Sequence, residues 1–204
     1  GLFNNEIIPT WGHSITGEFQ PFAIDQTIRH DTSLEALAKL KPAFLDNGTI
    51  TAGNASPFSV GAAAIMMMAD QKAKELGLTP FAKVRAMAIA GNDPLYMGIG
   101  PVPAIQKILQ KTGLSLDEIE IIEINEAFAS QVLSCLKGLN VDFNDSRVNP
   151  NGGAIAVGHP LGASGARLSL TVARELIRRK KKYAVVSLCI GVGQGLAMVI
   201  ENVS

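Results

Sequence analysis

Residues 183–200 form a run of eighteen amino acids without a charge, and this run narrows the possible folds more than any other stretch. Its length is near the minimum for an apolar helix crossing a bilayer. Gly191, Gly193 and Gly195, with Gln194 among them, interrupt it, and glycine is unfavourable inside a helix. Two apolar strands, 183–189 and 196–202, joined by a tight turn are therefore expected. The five-residue link from Gly191 to Gly195 is too short for a helical crossover, so the second strand has to run antiparallel to the first.

Upstream, residues 82–90 alternate as a strand, 102–110 read as a helix closed by Gly113, and 119–124 as a second strand. A helix over 125–136, a third short strand within 148–157 and a third helix over 164–179 follow. The order βαβαβαββ predicts an α/β domain whose mixed five-stranded sheet is covered by helices. The first fifty residues lack sustained periodicity, apart from a short helix over 33–40 with Ser33 as its cap and Glu35 in its first turn. Residues 51–56 read as a turn. A helix over 61–76 follows, closed by Gly77, with Met66, Met67 and Met68 as core filling. The glycine turn and helix of 53–76 loosely echo those of 152–179, which hints at an incomplete second copy of one unit.

At 204 residues the chain is long enough to bury a sizeable core. Its 18 basic and 18 acidic side chains cancel, which argues against nucleic acid as a partner. Charged residues make up only 18% and hydrophobic ones 47%, a balance that suggests a large protein interface. Two cysteines, Cys135 and Cys189, cannot build a disulfide framework, and three scattered histidines give no metal-ligand spacing. A reducing compartment, no metal, no membrane span and no signal peptide are the matching expectations.

The chemistry gathers in three places. Residues 149–163 place His159 among Gly152, Gly153, Gly158 and Gly162, in a loop that opens a helix. A histidine held there can move protons near neutral pH. Cys189 closes one apolar strand, and Asn125 and Glu126 follow another. Loops at the carboxyl ends of strands in an open α/β sheet line a crevice, and all three clusters fall on such ends. Each residue alone also has a plain structural reading. Cys189 would be a buried thiol, His159 a loop histidine bonded to backbone, Asn125 a helix N-cap and Glu126 a first-turn complement to the helix dipole. Their convergence favours a site in which His159 and Cys189 act as an acid/base or a nucleophilic pair. The basic run at 178–182 offsets a helix C-terminus.

These motifs resemble the thiolase family of acyl-CoA:acetyl-CoA C-acyltransferases. The resemblance rests on Asn-Glu-Ala-Phe-Ala at 125–129, Gly-Gly-Ala-Ile-Ala-Val-Gly-His-Pro-Leu-Gly-Ala-Ser-Gly at 152–165 and Cys-Ile-Gly at 189–191. Weaker matches begin at Asp31, Thr51 and Met97. Related condensing enzymes of fatty-acid synthesis place a second histidine where Asn125 stands, which argues against them. The resemblance implies a division into the tail of a loop subdomain (1–50), the closing segment of an N-terminal domain (51–80) and a C-terminal domain (81–204). It also implies roles. His159 would activate a nucleophilic cysteine and, with a water held by Asn125, bind the thioester oxygen of the second acyl group. Cys189 would be the base at the α-carbon of acetyl-CoA, helped by a pKa lowered by cationic or dipolar neighbours. The Gly191 N–H would join the oxyanion hole of the acyl-enzyme, and Ser56, Met97 and Phe128 would line the pantetheine and acyl end of the pocket.

The substrates implied are CoA and acyl-CoA, with no separate cofactor. The partners are the remainder of a thiolase chain and further copies in a homodimer or homotetramer, in the cytoplasm or an organelle. Two departures stand out. Where the family usually follows Asn-Ala-Ser with Gly, an aliphatic residue, Asn, Asp and Gly, this chain has Pro57-Phe58-Ser59-Val60-Gly61. That bears on loop geometry or acyl specificity. The family's acyl-accepting cysteine lies in an N-terminal half, and Cys135, mid-helix at an apolar position, does not replace it. The chain alone is therefore expected to be inactive. A Cys/His hydrolase using Cys189 as nucleophile and a noncatalytic CoA-binding or assembly module are the alternatives.

Overall fold

The computed structural model describes residues 1–204. Its first part holds an antiparallel hairpin, β1 (Thr10–His13) and β2 (Phe19–Phe22). Trp11 stacks on Phe19 across the hairpin, with ring centroids 5.5 Å apart. Helix α1 (Leu34–Ala38) starts where expected, with the Ser33 hydroxyl accepting the Ala36 N–H at 3.1 Å. Helix α2 is only Asp70–Glu75. Residues 61–69 have no regular structure, and Met66 and Met67 are 85% and 64% exposed rather than in a core. An isolated helix is marginal in water unless an apolar face packs, and nothing else in this chain covers that face. The expected second copy of the turn-and-helix unit therefore does not extend to the backbone.

The rest builds one mixed sheet. Its elements are β3 (Ala82–Gly91), α3 (Pro101–Thr112), β4 (Ile121–Ile124), α4 (Ala129–Leu139), α5 (Ala154–Val157), α6 (Leu161–Arg179), β5 (Tyr183–Ile190) and β6 (Gln194–Asn202). The sheet order is β3-β6-β5-β4. Strands β4 and β5 pair in parallel, while β6 is antiparallel to β5, as the short glycine link requires, and also to β3. The uncharged run is thus a strand pair, and no helix is long and apolar enough to cross a membrane.

The sheet has four strands, not five. Val148 makes one parallel bridge to Ile122, but Pro150 has no N–H to continue a ladder and Gly152 turns the chain at φ 81°. The following residues close into α5 instead. Likewise α4 starts at Ala129, four residues later than expected, because residues 125–128 first pair with other loops.

Both faces of the sheet are packed, so the inner strands read as continuous apolar runs. Ile105, Ile108, Ile122, Ile124, Leu136, Val185 and Val199 form the core under α3 and α4. Ile121, Leu168, Val172, Leu176, Val186 and Ile200 form the one under α6. All four residues of β4 are buried, including Glu123, whose carboxyl is pushed up to about 8 chiefly by burial. At the start of β6, a Cβ on Gly195 would stand 1.9 Å from the Gly100 carbonyl oxygen. Only glycine lets the start of β6 pass so close to the start of α3.

Two outcomes follow for stability. Gly195→Ala should lower the urea midpoint by the equivalent of about 3 kcal/mol or more, since backbone rather than a mobile side chain opposes the methyl. Gly165→Ala, in α6 with nothing within 4 Å of the added carbon, should raise it by about 0.5–1 kcal/mol. A carboxyl whose folded pKa is raised keeps its proton on folding, so its contribution to stability falls as pH rises from the unfolded value of 4.5 to about 8. Glu123→Gln should therefore gain stability relative to the parent chain as pH is raised through that window, measured as the difference in urea midpoints.

Candidate active site

Strands β4 and β5 run parallel with Ile124 paired to Ser187. Asn125 is thus one step, and Cys189 two steps, beyond that pair at the same carboxyl end. The Asn125 N–H donates to the Ser187 carbonyl at 2.9 Å. Its side chain is only 1% exposed, yet neither its Oδ1 nor its Nδ2 has a protein partner. Buried carboxamides are normally satisfied, so this one suits a polar group from outside the chain. Asn125 is not a helix cap: Phe128 occupies the N-cap position of α4.

Glu126 does not serve α4 either. Its carboxylate reaches across the site, accepting from Asn149 Nδ2 at 3.0 Å and from the Ile155 N–H at 3.2 Å, at the start of α5. A Cβ on Gly153 would lie 2.3 Å from the Glu126 carboxyl carbon, so a larger residue there would displace the carboxylate from this position. Asn149 in turn pairs with the edge of β4 by its side chain, accepting from the Ile124 N–H and donating to the Ile124 carbonyl, each at 2.9 Å. One clamp thus joins the Asn125 loop to the loop that carries His159.

His159 follows Gly158, which is at φ 94°. The Ser164 hydroxyl lies 2.7 Å from His159 Nδ1 and donates its own hydrogen to the Pro160 carbonyl at 3.1 Å. With that hydrogen committed, the Ser164 oxygen accepts from Nδ1–H, which leaves Nε2 as the free base of the neutral ring. Burial, and then the Arg167 charge, hold the imidazole below its ordinary value of 6.5, so it is neutral at pH 7.

Cys189 is half-buried and pairs with Gly195 across the strands. Its thiol is pushed up, not down, because burial dominates and no cation acts on it within this chain. No hydrogen bond joins it to His159, whose partners are Ser59 and Ser164. Gly191 stands in the turn after β5 with open space where a side chain would be. Cys135 is fully buried in α4, with its thiol raised to about 11 by burial.

The structure brings Ser56 and Phe128 together. The Ser56 N–H donates to the Ala127 carbonyl at 2.9 Å, and Ala55 bridges to Phe128. Phe44 meets the Phe128 ring edge-on at 6.2 Å. Met97 is on a 3-10 turn (Pro94–Ile99) that packs on α4 through Gly98, whose carbonyl accepts from Cys135 Sγ at 3.4 Å. Ser164, Asn149 and Arg167 escaped the sequence reading, which named Ser59 only within the departure at 57–61. Ser164 carried a faint signal, a hydroxyl one turn into the helix that His159 precedes. The basic run ends on carboxylates: Arg178 and Arg179 both bind Glu175, and Lys181 pairs with Glu120 at 3.0 Å. No group of three or more His, Cys, Asp or Glu side chains converges as metal ligands would.

Comparison with known proteins agrees with this arrangement. Residues 78–202 match the family model "Thiolase, C-terminal domain", and residues 1–71 match "Thiolase, N-terminal domain". The chain is 49% identical over 205 aligned residues to the 3-ketoacyl-CoA thiolase of an Enterobacter species and 51% identical to that of Escherichia coli. It covers 100% of itself in these matches but 53% of each relative, so it spans about half their length. Among solved structures it resembles the Bacillus anthracis acetyl-CoA acetyltransferase, with a TM-score of 0.94 and 43% identity over 100% of this chain and 51% of that one. It also resembles human mitochondrial 3-ketoacyl-CoA thiolase in complex with CoA, with a TM-score of 0.85 and 43% identity over 99% of this chain and 49% of that one. By its sequence, its fold and the three motifs that meet at the carboxyl end of its sheet, the chain belongs to the thiolase family.

Proposed function

We propose that this chain supplies the histidine, the second cysteine and the oxyanion partners of a thiolase that interconverts 3-ketoacyl-CoA plus CoA with acyl-CoA plus acetyl-CoA. The observation that carries the proposal is the orientation of His159. Its Nδ1 is tied to Ser164 and its ring is neutral, which leaves Nε2 as a base at the strand ends that also hold Asn125 and Cys189.

The steps follow from that geometry. His159 Nε2 takes the proton of a cysteine thiol lying outside these 204 residues, and the thiolate attacks the thioester carbon of acyl-CoA. The oxyanion is stabilised by the Gly191 N–H, CoA leaves as a thiolate that takes the proton of Cys189, His159 keeps its proton on Nε2, and an acyl-enzyme remains. Acetyl-CoA then loses an α-proton to Cys189, and the enolate oxygen is held by His159 and by a water on the unpartnered Asn125 carboxamide. The enolate carbon attacks the acyl group, the enzyme thiolate is expelled, and 3-ketoacyl-CoA forms. A thiol raised by burial is seldom ionised at neutral pH, but it is a stronger base once ionised, and Cys189 becomes that base by giving its proton to the departing CoA. Ser56, Phe128 and Met97 are proposed to receive the pantetheine and acyl end. CoA thioesters suffice as substrates without a further cofactor. The division at 1–50, 51–80 and 81–204 and a cytoplasmic homodimer or homotetramer complete this reading. A hydrolase with Cys189 as nucleophile gains no support, since His159 makes no hydrogen bond to that thiol.

The chain alone should not cleave acetoacetyl-CoA above a His159→Ala control; turnover by the purified 204-residue protein would refute the assignment of an outside nucleophile. In enzyme assembled with a nucleophile-bearing thiolase half, Cys189→Ser should acylate at near the parental rate and lose condensation, because a hydroxyl is far less readily ionised near neutral pH than a thiol of pKa about 8.5. Asn125→Ala should cost about 10²–10³ in condensation. His159→Ala should slow both half-reactions, as read by acylation burst and steady-state assays. The His159 ring should titrate by NMR below 6.5. Arg167→Gln, which removes a positive charge that disfavours the imidazolium, should move that titration upward.

A further inference from the structure

The four residues after Ser56 depart from the family's usual run, and they lie against the histidine loop. The Ser59 hydroxyl donates to the Pro57 carbonyl at 2.8 Å and accepts the backbone N–H of His159 at 3.1 Å. Because Pro57 takes its one hydrogen, the Ser59 oxygen can only accept from His159. The approach is close: a Cβ on Gly158 would lie 2.3 Å from Ser59 Oγ, and one on Gly61 would lie 2.9 Å from Pro160 Cγ. Glycines thus flank the contact on both segments, and the two stretches of backbone are drawn together where His159 is set.

The other end of the same strap is tied to the Asn125 loop. Asn54 accepts from the Ala129 N–H at 2.8 Å through its carbonyl, and Ser56 donates to Ala127. Residues 54–59 therefore span from the motif that carries Asn125 to the motif that carries His159. Ser164 sets the ring of His159, but its hydroxyl touches only the ring nitrogen and Pro160. Besides Ser59, the loop is held from outside by Thr27, whose hydroxyl donates to the Ala156 carbonyl at 2.8 Å, three residues earlier, and by Glu175, which accepts from Asn151 Nδ2 at 3.0 Å.

We infer that Ser59 is a positioning residue: by accepting the His159 N–H it sets the distance between the histidine and the oxyanion partner on Asn125. The inference rests on the reading of His159 as the catalytic base. Ser59 touches no reacting atom, and its effect runs wholly through the backbone of His159. Loss of the hydroxyl orphans a half-buried N–H and frees the loop to drift, and a misplacement of about 1 Å can cost about 10²-fold in rate. An asparagine at this position carries a short side chain with an acceptor oxygen and can take over the contact.

The test has two arms. In the 204-residue chain, Ser59→Ala should speed hydrogen exchange at the His159 amide about tenfold, with Ser59→Asn restoring protection. In enzyme assembled with a nucleophile-bearing thiolase half, Ser59→Ala should lower kcat by about tenfold to a hundredfold while KM for the acyl-CoA stays within about twofold. Ser59→Asn should recover most of that kcat. Unchanged exchange at His159 in Ser59→Ala, a kcat loss that Ser59→Asn does not restore, or a rise in KM in place of the fall in kcat would each overturn the positioning role. If the assembled parent enzyme transferred no acyl group at all, the functional reading would fall, and the amide exchange would still decide what Ser59 holds.

Discussion

The site depends on how the open edge of β4 is closed. A buried strand edge with free N–H and C=O groups would be costly, and here the edge is completed by a side chain. Asn149 offers Ile124 both an acceptor and a donor, as a neighbouring strand would. Its amide then passes to Glu126, whose other oxygen holds the start of α5. The sheet, the loop after β4 and the histidine loop are therefore one hydrogen-bonded unit. Arg147 reinforces the same edge, with its guanidinium on Asp145 and on the carbonyls of Leu116 and Ile119.

Electrostatics at the site follow from burial more than from paired charges. His159 is held neutral by burial and by the like charge of Arg167, the Cys189 thiol is raised by burial, and Glu123 keeps its proton in the wall between β4 and α6. A neutral imidazole with its donor nitrogen committed to Ser164 is a base by construction. The Cys189 thiol, two steps along β5, is uncharged.

Much of this was legible from residue patterns. Alternation and apolar runs placed β3, β5, β6, α3 and α6 to within a few residues, and the glycine link forced the antiparallel turn between β5 and β6. Local pattern failed where long-range partners decide. The segment 61–69 has the apolar spacing of a helix but no surface to pack on. The supposed strand in 148–157 keeps one bridge, since Pro150 and Gly152 divert it. The helix after β4 starts late because residues 54–56 claim the backbone at 127–129 first.

Sequence alone determined the chemistry on offer: one histidine in a glycine loop, one cysteine at a strand end, a carboxamide and a carboxylate at another, and the strand order that sends them to one side. Residue type and spacing suffice for that, because they set protonation range and backbone freedom. Tertiary structure decided what each group does there. Glu126 left its own helix to bind α5, Asn125 was buried without a partner, Cys189 was raised by burial, and Ser59 was brought to His159 from a hundred residues away. Those outcomes depend on desolvation and on contacts between distant segments, which no local pattern encodes.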